Sequence, residues 1–120
     1  MRNVAKASLV CMMAGADFIK TSTGKETINA NLNNSLVMLR MIREFHEITR
    51  KKIGFKPAGG ISSAKLVIEF LILVLEELGS EWINPKLLRI GASSLLIDIE
   101  RQLYHFAVGR YANKDKIAIG

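Results

Sequence analysis

One pattern recurs three times along the 120-residue chain and decides what it can fold into. The stretches "ADFIKTSTGKE" (16–26), "KIGFKPAGGISS" (52–63) and "LLRIGASS" (87–94) each pass from an apolar run into a loop of Gly, Ser and Thr. A segment of helical periodicity follows each loop. Lys20 and Lys56 lie 36 positions apart, and Gly91 stands 35 beyond Lys56. That interval holds one strand, one loop, one helix and a return connection. Strands that alternate with helices pair in parallel, because a parallel crossover needs a dozen or more residues and a helix is its usual content. The repeat predicts an α/β fold with three parallel strands and about four helices.

The helices are readable in outline. "NVAKASLVCMMAG" offers Asn3 as an N-cap and Gly15 as a stop. "NSLVMLRMIREFHEITRK" sets Val37, Met38, Met41, Ile42, Phe45 and Ile48 along one broad stripe. "SSAKLVIEFLILVLEELG" opens on serines and stops at Gly79, and "SLLIDIERQLYHFAVG" closes the pattern at Gly109. The tail "NKDKIAIG" carries no periodicity. The third helix is apolar nearly all round, which implies burial on more than one side. Three parallel strands also leave two edges unpaired, and such edges are compatible with a homo-oligomer. The chain reads as part of something larger.

Composition removes several function classes. Hydrophobic residues make up 49% and charged ones 23%, which implies a packed core rather than disorder. The longest apolar run, "LVIEFLILVL" (66–75), is broken by Glu69 and falls short of the roughly 20 residues a bilayer requires. Cys11 has no intramolecular disulfide partner and reads as a packing residue in an apolar helix. With no signal-like N-terminal pattern, the expectation is a cytoplasmic protein without membrane contact. The net charge is +6, yet only Arg50, Lys51 and Lys52 form a basic run. That run ends a helix, where cations complement the dipole, so no nucleic-acid partner is expected. His46 and His105 lack a second ligand at metal spacing, so no metal is expected. Trp82, in "GSEWINP", reads as a hydrophobic anchor for a connection.

The chemistry lies at the strand ends. Lys20 and Lys56 end consecutive apolar runs, and consecutive strands usually pair. Neighbouring strands lie about 4.8 Å apart. Two amines on one face at that distance disfavour double ionisation, which favours a neutral lysine, and a neutral lysine is a nucleophile toward carbonyls. Each lysine read by itself is equally an ordinary strand-end residue pointing at solvent. The loops supply a second ingredient. "TGK" (Thr23, Gly24, Lys25), "AGGISS" (58–63) and "GASS" (91–94) put small residues at helix starts, where backbone amides point at an anion. Hydroxyls of Ser62, Ser93 or Ser94 and the charge of Lys25 add to such a cradle, although βα turns and N-caps need the same residue types. Together these features point to a phosphorylated carbonyl substrate.

At this point "GADFIKTSTGK", "GFKPAGGI" and "RIGASSLL" are recognisable: they resemble, in order and spacing, the three C-terminal signatures of the deoxyribose-phosphate aldolase family. The resemblance implies an eightfold β/α barrel. Residues 1–120 would then be the C-terminal portion of that domain, its last three strands and the helix leading into them, with the first half of the barrel absent. It also implies class I aldolase chemistry without a cofactor. Lys20 would form the Schiff base with 2-deoxyribose 5-phosphate, and Lys56 would favour the neutral nucleophile. The positions matching the family's phosphate contacts are Gly24, Lys25, Gly59, Gly60, Gly91, Ser93 and Ser94. The products would be glyceraldehyde 3-phosphate and acetaldehyde.

Several positions depart from the family pattern. Ser62 stands where arginine is common, and Leu66 where an acidic residue is common. No tyrosine ends the chain. The family's proton-relay aspartate belongs to an earlier strand, and Asp17 begins the Lys20 strand rather than ending it. The alternative expectation is therefore a catalytically inactive barrel fragment that binds phosphate or a complementary half barrel. A full β/α barrel needs about 250 residues.

Overall fold

The computed structural model describes residues 2–21, 31–91 and 95–108. Its elements run α1 (Arg2–Met13), β1 (Phe18–Lys20), α2 (Leu32–Thr49), β2 (Gly54–Lys56), α3 (Ala64–Leu78) and α4 (Leu95–Val108), with a short 3-10 turn at Ser80–Trp82. The expected alternation of helix and strand holds from α1 to α3, and the helices begin and end for identifiable reasons. Gly15, at φ 101°, carries the backbone out of α1 through a conformation that a side chain resists. Asn31 caps α2, its side-chain oxygen accepting from the Asn34 amide at 2.7 Å, so the helix starts two residues ahead of the expected Asn34. Ser63 caps α3 by accepting from the Leu66 amide at 3.2 Å.

β1 and β2 pair in parallel with Phe18 opposite Gly54, Ile19 opposite Phe55 and Lys20 opposite Lys56. Gly54 is required there, because a Cβ at this position would overlap the Phe18 ring. Ile19 and Phe55 share one sheet face, which the helices cover. Met12 of α1, Met38, Leu39 and Ile42 of α2, and Phe70 and Val74 of α3 are all buried in the same cluster. Burying a side chain of the size of Phe55 contributes about 1.5–3 kcal/mol. The α2 stripe lies where expected over most of its length, with Met38 and Ile42 buried and Met41 and Phe45 packed against them. Leu39 is fully buried, whereas Ile48 is 83% exposed at the helix end.

The connection after α3 is anchored as expected. Trp82 is buried and its indole N–H donates to the Ile53 carbonyl at 2.9 Å. The His46 ring meets the indole edge-on at 5.3 Å, and Lys52 Nζ lies 5.6 Å from its centroid. The same lysine hydrogen-bonds Glu81 at 3.0 Å and, through that bond and its charge, holds the Glu81 carboxyl below its ordinary value of 4.5. Glu77 joins α3 to α2 by pairing with Arg40 and Arg43 at 3.6 and 3.3 Å.

The third strand is a correction. The sheet among the described residues has two strands, not three. Residues 87–91 run parallel to β2 but touch it only at two isolated bridges, Phe55 with Leu88 and Ala58 with Gly91. The Phe55 amide donates to Leu87 O at 2.8 Å, the Arg89 amide to Phe55 O at 3.2 Å, and the Gly91 amide to Pro57 O at 2.9 Å. The rung between them would need an N–H on residue 57. Proline has none, so the ladder is cut in its middle. The burial expected for α3 is also one-sided: Phe70 and Val74 are buried, while Ile68, Ile72 and Leu75 are exposed.

No helix among the described residues is long and apolar enough to cross a membrane.

Candidate active site

Side chains of directly paired residues leave a sheet on the same face, and that face alternates along each strand. Ile19 and Phe55 point to the helices, so Lys20 and Lys56 point to the opposite face, side by side at the C-terminal ends of β1 and β2. Lys20 is exposed and Lys56 half-buried. Among the described residues neither makes an ion pair. Asp17, three residues before Lys20, sits at the other end of β1. Its carbonyl accepts from the Gly54 amide at 2.8 Å and its carboxylate lies 3.8 Å from Lys51 Nζ. No carboxylate reaches the lysines from that strand.

The aliphatic stem of Lys56 rests against Gly91. A Cβ at residue 91 would come within 3.1 Å of Lys56 Cε and 2.8 Å of Ala58 Cβ. Gly91 therefore has a steric role beside Lys56 whatever it does toward an anion. The turn out of β2 needs its own glycines, since Gly59 and Gly60 adopt φ of 89° and 74°. They bring the backbone from Lys56 to the capped start of α3. The Ser63 hydroxyl is committed to that cap. Asp98 of α4 accepts from the Ala64 amide at 2.7 Å, which ties α4 to the first turn of α3. Of the other candidate residues, Gly24, Lys25, Ser93 and Ser94 lie outside the described residues.

Two site neighbours were not singled out by the sequence. Arg89 carries a third cation to the lysine face, with its guanidinium 4.7 Å from the Phe18 ring centroid and its Nε donating to Pro85 O at 3.1 Å. Thr21 places its hydroxyl 2.8 Å from both the amide and the carbonyl of Ala58. Arg89 sits two residues before Gly91 in "RIG", a position that alternation assigns to the lysine face once the register is known. Nothing in the sequence marks Thr21, because its bonds cross 37 positions.

A cleft of about 300 Å³ opens between α1 and β1, bounded by Ser8, Cys11, Phe18, Lys20 and Thr21 among others. Cys11 is exposed along it, which corrects its expected place in the core. No group of three or more His, Cys, Asp or Glu side chains that could hold a metal ion occurs among the described residues.

Comparison with known proteins gives one consistent result. The sequence model of the DeoC/LacD family aldolases matches residues 1–97. The chain is 65% identical to mouse deoxyribose-phosphate aldolase and 64% identical to the human one, each over 112 residues. Those alignments cover 93% of this chain but 35% of either relative, so the chain spans about a third of their length. The apo crystal structure of a Toxoplasma gondii protein named as a deoxyribose-phosphate aldolase superposes with a TM-score of 0.74 at 26% identity, covering 85% of this chain and 40% of that one.

Proposed function

Since the chain belongs to the DeoC/LacD aldolase family, we propose that it supplies the nucleophile and the phosphate side of a class I aldolase acting on 2-deoxy-D-ribose 5-phosphate. The observation that carries this reading is the register of the sheet, in which Lys20 stands directly opposite Lys56 at the two strand ends. Like charges in opposition repel, and the repulsion is relieved when one amine is neutral. Lys20, the more exposed of the two, is the nucleophile, and Lys56, with its stem braced by Gly91, stands beside it on the same face.

The neutral Lys20 amine attacks C1 of the open-chain sugar. Loss of water from the carbinolamine gives an iminium, which draws electrons toward nitrogen. The C3 hydroxyl gives up its proton to water, the C2–C3 bond breaks, and its electron pair forms the C1–C2 double bond of an enamine as the iminium electrons return to nitrogen. Glyceraldehyde 3-phosphate leaves. Protonation of the enamine at C2 and addition of water then release acetaldehyde and return Lys20. The phosphate is held by the glycine and serine loops at Gly24, Lys25, Gly59, Gly60, Gly91, Ser93 and Ser94. No metal or organic cofactor enters these steps.

Borohydride trapping with 2-deoxyribose 5-phosphate, followed by peptide mass mapping, tests the assignment. A reduced adduct is expected on Lys20 and absent in Lys20→Ala. In the context of a chain as long as the relatives, Lys20→Ala abolishes turnover, and Lys56→Ala slows imine formation on Lys20. An unchanged rate of imine formation in Lys56→Ala removes the role given to that residue. A second reading, a phosphate-binding partner for a complementary half barrel, is favoured by the exposed Val10 and Met13 on the outer side of α1. It stands if no adduct forms on Lys20 while phosphate still binds.

A further inference from the structure

We infer that Thr21 is a positioning residue, whose side-chain hydroxyl forms the last rung between the two lysine-bearing strands and so holds Lys20 opposite Lys56. The inference rests on the reading of Lys20 as the nucleophile.

The backbone ladder between the strands ends at the Thr21 amide, which donates to Lys56 O at 3.3 Å. Were the ladder to continue, the Ala58 amide would donate to the carbonyl of residue 21, and the Ala58 carbonyl would accept from an amide two residues further along. Among the described residues the Thr21 hydroxyl meets both Ala58 groups instead. It accepts from the Ala58 amide at 2.8 Å and donates to the Ala58 carbonyl at 2.8 Å. One side-chain oxygen thereby satisfies two groups of a residue that is 4% exposed, where an unmade hydrogen bond is costly.

Ala58 is held from its other side as well. The Gly91 amide donates to Pro57 O at 2.9 Å, and residue 91 lies against both Ala58 Cβ and the Lys56 stem. Thr21, Ala58 and Gly91 thus form a strut across the sheet, one residue beyond Lys20 and two beyond Lys56. Among the described residues no other bond joins the two strands past the Thr21 amide, so losing the hydroxyl loosens the separation of the two amines. Among the described residues the charged groups that share this face with Lys20 are Lys56 from β2 and Arg89 from the segment beyond it. The acidic Asp17 lies at the far end of β1, against Lys51.

The test uses Thr21→Val, which keeps the shape and removes the hydroxyl, and Thr21→Ser, which keeps the hydroxyl. The first readout is hydrogen exchange at the Ala58 amide. Exchange at least tenfold faster is expected in Thr21→Val, with Phe55 unaffected and Thr21→Ser like the parent. The second is reductive methylation at neutral pH with formaldehyde and cyanoborohydride, reporting labelling of Lys20 relative to exposed Lys65. The parent is expected to label Lys20 preferentially, Thr21→Val to lose at least threefold of that preference, and Thr21→Ser to restore it. Should Thr21→Val unfold the chain, Thr21→Ala, which removes the hydroxyl together with its methyl group, carries the same comparison. Unchanged Ala58 exchange overturns the rung. Faster exchange with unchanged Lys20 preference overturns the positioning role and leaves the lysine assignment standing. A parent with no Lys20 preference sinks that assignment, and the positioning role with it.

Discussion

Gly91 sits 3.1 Å from Lys56 Cε and 2.8 Å from Ala58 Cβ, measured from where its missing side chain would begin. Sequence and family resemblance both place this glycine among the phosphate contacts. The packing adds a second reason for it, since a methyl group here must move either the Ala58 backbone or the amine-bearing stem of Lys56. Overpacking of this kind costs about 1–3 kcal/mol. Gly91→Ala is therefore expected to lower stability and to slow Lys20 adduct formation with 2-deoxyribose 5-phosphate and with unphosphorylated 2-deoxyribose alike. A defect confined to the phosphorylated sugar would assign the glycine to the anion and not to Lys56. At this scale the sequence was legible where a residue type is rare for its place, as with two lysines ending apolar runs. It was silent on Thr21 and Arg89, whose roles depend on which backbone atoms and rings lie across the sheet.

Among the elements, helix ends were legible to within about two residues, because caps and stops are local chemistry. Asn31, Gly15, Ser63 and Gly79 each act within one turn of where they stand. The third strand was not legible from its own residues, "LLRIG", which have ordinary strand character. The break lies in its neighbour, where Pro57 removes the donor for the middle rung. The α2 stripe was legible except at its end, where Ile48 is exposed beyond the last core contact, and Leu39 joins Met38 and Ile42 inside. The end of α2 carries a strain that composition conceals. Arg50 caps the helix in the left-handed region at φ 63°, with its amide bonded to His46 O at 2.8 Å. A side chain in that conformation costs about 1–2 kcal/mol, and glycine avoids the clash while giving up about 0.5–1 kcal/mol through a freer unfolded chain. Arg50→Gly is expected to raise the melting temperature by a few degrees without altering Lys20 labelling. An unchanged or lower melting temperature would mean that the Arg50 side chain contributes more than its backbone strain costs.

The molecule as a whole presents its lysine face and much apolar surface without cover from other described residues. Val10 and Met13 on α1 are 64% and 71% exposed, Phe106 on α4 is 91% exposed, and Ile68, Ile72 and Leu75 line the outer side of α3. Among the described residues β1 has a neighbour on one edge only. Apolar surface gains about 25 cal/mol for each Å² removed from water, and an open strand edge offers unpaired amides and carbonyls to any matching strand. Both terms favour contact with another chain, and the +6 charge opposes it through a repulsion that salt screens. The expected behaviour of these 120 residues expressed alone is self-association that grows with concentration and with added salt. Sedimentation velocity would read it as a mass above the 13.3 kDa of one chain. A single 13.3 kDa species across concentration and salt, melting in one cooperative step, would show that the exposed faces need no partner. The Lys20–Lys56 pair would then stand open to solvent, where water competes for any hydrogen bond the two amines could make.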